Sequence, residues 1–139
     1  QKLINDYLLK NAAEKSKFFP LNKNLIKDDN FKFPLDICLL GIGNDGHFAS
    51  LFPNMINNTN MLDPNSKSSI NKVKANGNPF VPRISMNLPL ILSSNLIILL
   101  IKGKLKQEVL REAYNNKNIP LYYLLKHRIN NFHIELLND

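Results

Sequence analysis

Asp45, Gly46 and His47 stand in succession inside the stretch DICLLGIGNDGHFASLFP, residues 36 to 53. An unperturbed histidine titrates near pH 6.5, so at about neutral pH a useful fraction is a free base able to take a proton from water. A carboxylate two residues away across a glycine bend can orient the imidazole and stabilise its protonated form, as the acid does in a hydrolase triad. The plainer reading makes Asp45 a helix cap and His47 a solvated residue of the first turn. The same stretch offers a different chemistry. Gly41, Gly43 and Gly46 read as G-x-G-x-x-G after an apolar run, and glycines placed there let a backbone approach a pyrophosphate at a helix N-terminus.

The dinucleotide reading lacks its context on two counts. It expects an acidic residue ending a second strand about 20 residues further on, and that region reads NTNMLDPNSKSS, with no strand for Asp63 to terminate. It also needs a long helix packed on the sheet, whereas Pro53 ends or redirects any helix begun at Phe48 to Phe52.

The elements that must position these residues are read from apolar spacing. From Gln1 to about Ser16, apolar residues at Leu3, Ile4, Tyr7, Leu8 and Ala12 predict an amphipathic helix. Pro20 and the polar stretch Asn22 to Asn30 predict a loop. Leu35 to Leu40 is a nearly continuous apolar run, expected of a parallel strand covered on both faces. Asn54 to Pro82 reads as a long, mostly irregular excursion with one weak strand, INKVKA, and long excursions are functional or disordered more often than idle. RISMNLPLIL predicts a short strand entering a helix with Pro89 in its first turn. LIILLI, residues 96 to 101, is the strongest buried-strand signal. After Gly103 the residues Leu105, Val109, Leu110, Ala113 and Tyr114 line one helical face. PLYYLLKHRI is ambiguous between helix and loop, and FHIEL predicts a last strand. Strands alternating with helices imply an α/β fold with a mainly parallel sheet, doubly wound with helices on both faces, and chemistry at the carboxyl ends of the strands.

The 139 residues, 44% hydrophobic, suffice for one core. Cys38 is the only cysteine, so no internal disulfide forms, and inside its apolar run it reads as a small buried hydrophobe. No run of about 18 apolar residues and no signal-like start occur, so the expected setting is the reducing cytoplasm, with no membrane partner. The net charge of +7, from 18 Lys+Arg against 11 Asp+Glu, favours an anionic partner. Nucleic acid is not the expected one, because most aromatics fall on apolar faces and do not interleave with clustered lysines.

LLGIGNDGHFASLFP resembles the signature of the 6-phosphogluconolactonases, which share a superfamily with the glucosamine-6-phosphate isomerases. RISMNLPLILSSNLIILLIKGKLKQEVL is similar to the downstream lactonase pattern of an Arg-Ile-Ser/Thr strand, a Leu-Pro helix, an apolar strand and a Gly-x-x-Lys helix start. The likeness covers most of residues 36 to 112. After the shared Gly-x-Gly-x-Asp-Gly-His, the isomerases typically continue Ile-Ala-Phe-Asn-Glu. Here Phe48 is followed by Ala49, Ser50, Leu51, Phe52 and Pro53, the lactonase continuation, with Phe48 where Thr is common.

The resemblance implies a NagB/RpiA-like fold and hydrolysis of 6-phosphogluconolactone to 6-phosphogluconate without metal or cofactor. His47 would activate water, Asp45 would polarise and orient it, and Arg83 and Lys106 would hold the sugar phosphate, with Lys104 competing for the role of Lys106. Backbone N–H groups around Gly41 to Gly46 are candidates for stabilising charge on the lactone oxygens. His127 and His133 match nothing in the family pattern and are read as surface residues. Family members also carry a Gly/Ser phosphate loop and an Asp-Glu-Arg segment upstream, and Gln1 aligns just after them. Residues 1–139 are therefore expected to be the C-terminal portion of one lactonase domain, with little or no turnover in isolation. In some unicellular parasites the lactonase is joined to glucose-6-phosphate dehydrogenase, and the Asn/Lys bias is compatible with such a source. The rivals are a glucosamine-6-phosphate isomerase or deaminase and a non-catalytic basic module binding RNA or an acidic protein.

Overall fold

The apolar runs separate into two sheets in a computed structural model, which describes residues 2–128 and 131–137. In chain order the elements are α1 (Lys2–Tyr7), β1 (Ile37–Gly41), α2 (Thr59–Leu62), β2 (Ile70–Asn76), β3 (Val81–Met86), α3 (Leu88–Leu92), β4 (Leu96–Lys102), α4 (Lys104–Ala113), α5 (Pro120–Lys126) and β5 (Phe132–Leu137). Strands β1, β4 and β5 form a parallel sheet in that order, while β2 and β3 pair as an antiparallel hairpin. The architecture is α/β with a mainly parallel sheet, as the alternation of apolar runs and amphipathic segments implies.

The strongest apolar run becomes the middle strand. Ile97, Leu99 and Ile101 of β4 are fully buried, and they share one core with Cys38, Leu40, Phe48, Leu51, Phe52, Leu121 and Leu124. A second small cluster, Leu25, Ile70 and Leu90, is covered by Phe19, Leu21, Phe31 and Phe33. The register pairs Gly41 with Leu100. Since β1 and β4 run parallel, the turn after Gly41 and the helix start after Lys102 emerge at the same end of the sheet.

Several expectations are corrected. The helix predicted to about Ser16 stops at Tyr7, and a single 3-10 turn follows at Asn11–Ala13. Tyr7 and Leu8, where the helix ends, are exposed, and a helix this short is marginal without tertiary packing. The run Leu35 to Leu40 yields a strand buried on one face only: Cys38 and Leu40 point into the core, while Ile37 and Leu39 are 58% and 61% exposed. β1 is an edge strand of the described sheet, and no described element lies over its outer residues. No helix forms at Phe48 to Phe52. Phe48 instead bridges antiparallel to Ile42 and to Leu51, and Ala49 takes φ +49. Leu105 and Tyr114, placed on the buried face of α4 by their spacing, are exposed, leaving Val109 and Ala113 as its buried contacts.

The excursion Asn54 to Pro82 is more ordered than its composition suggests. It contains a 3-10 turn at Pro53–Met55, α2 and β2. Fully buried Asn87 ties it down. Its Oδ1 accepts from the backbone N–H of Ser69 at 2.9 Å and of Leu90 at 3.3 Å, the latter capping α3. Its Nδ2 donates to the carbonyls of Asn60 and Lys67, both at 2.9 Å.

Candidate active site

The turn after β1 is shaped by two of its glycines. Gly46 has φ +74, a left-handed conformation in which a Cβ is strained, and a Cβ there would also strike the Cγ2 methyl of Ile119 and lie 3.4 Å from Val109 Cγ1. Its carbonyl accepts from the N–H of Leu121 at 3.1 Å, so the start of α5 clamps the turn from behind. Gly43 is needed for space, because a Cβ on it would overlap the His47 ring and the Asp45 carboxylate. Gly41, the last residue of β1, would meet nothing within 4 Å. The turn closes on itself through Gly43 N–H to the His47 carbonyl at 2.8 Å and Gly46 N–H to the Gly43 carbonyl at 3.0 Å. Those two N–H groups are therefore engaged inside the turn.

This closure sets Asp45 against His47. Asp45 Oδ1 lies 2.5 Å from His47 Nδ1 and also accepts the His47 backbone N–H at 3.2 Å. The side chains are 46% and 31% exposed, so the pair is formed yet open to solvent. A carboxylate only accepts, so it selects the tautomer with the proton on Nδ1 and leaves the Nε2 lone pair free to take one. The helix-cap reading of Asp45 does not apply, because the turn is followed by isolated bridges. The same absence removes the helix N-terminus that a dinucleotide pyrophosphate would need.

An open cleft of about 400 Å³ is lined by Gly43, Asn44, Asp45, His47, Gly77, Asn78 and Lys106. Lys106 reaches it from the first turn of α4, whereas Lys104 is exposed and outside the lining. Arg83, on β3, is not among the lining residues. It stands behind Gly77, donating from Nη1 to the Asn76 carbonyl and from Nη2 to the Pro79 carbonyl, the latter at 2.9 Å. The structure thus brings Asp45, His47 and Lys106 into one cleft and sets Arg83 behind its wall. His127, at the end of α5, and His133, on β5, are exposed, as expected.

The sequence reading missed that wall. Gly77 and Asn78 belong to the connection between β2 and β3, which runs from Gly77 to Phe80 with Gly77 at φ +66, and a short glycine-containing connection between two strand-like runs is a hairpin signal. The signal was present in KANGNPFVPR, with the proline-rich surroundings arguing against a strand pair.

The profile of the glucosamine-6-phosphate isomerases/6-phosphogluconolactonase family matches residues 2–133. The chain is 30% identical to a 6-phosphogluconolactonase of Neisseria meningitidis over 147 aligned positions, covering 95% of this chain and 63% of that protein. With a 6-phosphogluconolactonase of Caulobacter vibrioides the identity is 34%, over 89% of this chain and 58% of that one. The chain thus spans about three-fifths of the length of these curated relatives. The crystal structure of a 6-phosphogluconolactonase from Shewanella baltica shares the fold, with a TM-score of 0.69 over 99% of this chain and 63% of that one, at 24% identity. Match, shared fold and the Gly-x-Gly-x-Asp-Gly-His turn agree: the chain belongs to the glucosamine-6-phosphate isomerase/6-phosphogluconolactonase family.

Proposed function

We propose that the intact protein carrying this chain hydrolyses 6-phosphogluconolactone to 6-phosphogluconate in the cytoplasm, with His47 as general base. The observation that carries the reading is the Asp45–His47 pair sharing one cleft with Lys106. In this mechanism Nε2 of His47 takes a proton from water as its oxygen attacks the lactone carbonyl carbon. Asp45, bonded to Nδ1, stabilises the imidazolium that forms. The tetrahedral intermediate collapses by breaking the bond from that carbon to the ring oxygen, and the imidazolium returns the proton to the departing alkoxide. With the Gly43 and Gly46 N–H groups engaged in the turn, those of Asn44 and Asp45 are the remaining turn donors for the developing oxyanion.

Lys106 and the N-terminus of α4 provide positive charge for the phosphate dianion at one end of the cleft. Arg83 carries further N–H donors beyond the two bonded to carbonyls, and we assign them to the same phosphate. The Ala-Ser-Leu-Phe-Pro continuation after Phe48 favours the lactonase over the isomerase branch.

The test is lactone hydrolysis by the intact protein above the spontaneous rate. His47→Ala is expected to lower kcat about 100-fold or more, the usual size of a general-base contribution. A loss of only a few-fold would overturn the assignment, and ammonia release from glucosamine 6-phosphate would move the protein to the isomerase branch.

A further inference from the structure

The cleft has two walls from distant parts of the chain, the glycine turn and the β2–β3 turn, and one buried side chain touches both. Pro53 restricts the residue before it to extended backbone, and Phe52 adopts φ −95, ψ 160. That conformation sends its ring inward, where it is 1% exposed. The ring centroid lies 4.5 Å from that of the His47 imidazole, with the planes tilted by 37°. The Arg83 guanidinium carbon lies 5.2 Å from the same ring, in the range of a cation–π contact. A Cβ on Gly77 would come within 2.9 Å of Phe52 Cε1, so the hairpin turn rests directly on the ring edge. Arg83 then holds that turn through the carbonyls of Asn76 and Pro79.

We propose that Phe52 is a positioning residue: it fixes the plane of the His47 imidazole and, through Gly77 and Arg83, the distance from that imidazole to the Gly77–Asn78 wall. Asp45 fixes one atom of the ring, Nδ1, and a single hydrogen bond leaves the imidazole free to pivot about it. The Phe52 face removes that freedom, so Nε2 points at one place in the cleft. A flexible aliphatic side chain of similar volume would keep the core filled and lose the flat surface. An ordinary core residue would be indifferent to that exchange apart from stability. The inference rests on the proposed function for its kinetic consequence, and on geometry alone for its spectroscopic one.

The experiment uses the intact protein and the variants Phe52→Leu and Phe52→Met. In the wild type, nuclear Overhauser contacts between Phe52 and His47 ring protons are expected, together with ¹⁵N shifts of a single His47 tautomer protonated on Nδ1. In folded variants the Nδ1 tautomer is expected to stay, because Asp45 keeps it, while the His47 ring protons show contacts to several sets of neighbours, as a ring sampling more than one plane does. Lactone turnover is expected to fall about 10- to 100-fold in kcat, the scale on which small misplacements of reacting groups act. KM is expected to change less. Either folded variant in which the His47 ring protons keep one set of contacts to their remaining wild-type neighbours and kcat stays within about threefold would overturn the proposal, since ring misplacement is its whole content. If neither variant folds, the wild-type contacts decide: their absence overturns the proposal and their presence supports it. Loss of lactone turnover in the wild type would sink the proposed function and leave the ring measurements as the test of Phe52.

Discussion

Replacing Gly46 by alanine tests whether the glycine turn is held by backbone conformation, by packing, or by both. An alanine at φ +74 pays the left-handed penalty of about 1–2 kcal/mol. Its Cβ also collides with the Cγ2 methyl of Ile119, and overpacking of this kind costs about 1–3 kcal/mol. Gly46→Ala alone is therefore expected to destabilise by about 2–5 kcal/mol. In an Ile119→Ala background the colliding methyl is gone, and the same substitution is expected to cost only the conformational part, about 1–2 kcal/mol. Urea denaturation of the intact protein and the three variants reads both numbers. Because Gly46 joins Asp45 to His47, kcat of the folded Gly46→Ala protein is expected to fall as well. A cost under about 0.5 kcal/mol, the level of an ordinary surface change, would refute the turn geometry. Equal costs in the two backgrounds would refute the collision.

Two further outcomes follow from buried groups. Asn87→Leu should destabilise by about 3–5 kcal/mol in urea, because it strands two backbone N–H groups and two carbonyls that the amide satisfies; a loss below about 1 kcal/mol would mean that the excursion is tied down elsewhere. Burial pushes the Cys38 thiol above its ordinary 9.0, so the folded state holds that proton more tightly than the unfolded chain. Its contribution to stability is thus complete below the ordinary thiol value and declines as pH rises through the folded one. Denaturation midpoints measured on the alkaline side should fall less steeply in Cys38→Ala, and the wild-type thiol should resist alkylation at neutral pH until the protein is unfolded.

Much of the site was legible because it is local. Asp45 and His47 are two residues apart, so a glycine bend is enough to bring carboxylate and imidazole together whatever the rest of the chain does. LIILLI could be read as a buried strand because its residues admit little else, and RISMNLPLIL kept its strand and its proline-started helix. Readings failed where a local pattern needed a distant partner. α1 ends at Tyr7, where the side chains of Tyr7 and Leu8 stand exposed with nothing to pack against. Ile37 and Leu39 match their buried neighbours in hydrophobicity, and only their place on the outward face of an edge strand leaves them exposed.

By itself, then, the sequence determined the glycine turn, the pair it presents and the strand that precedes it, since each depends on residues within a few positions of one another. The tertiary structure decided what stands opposite that pair. The Gly-x-x-Lys spacing favours Lys106 and leaves Lys104 as its competitor, and two residues rotate about 200° around a helix, so only one can face a given cleft. The burial of Val109 and Ala113 sets that rotation, and parallel pairing of β1 with β4 brings the helix start to the same end of the sheet. Together they put Lys106 in the same cleft as His47 and leave Lys104 in solvent. The turn that completes the cleft arrives the same way, through Arg83 and the ring of Phe52, by contacts between segments whose separation along the chain no local pattern encodes.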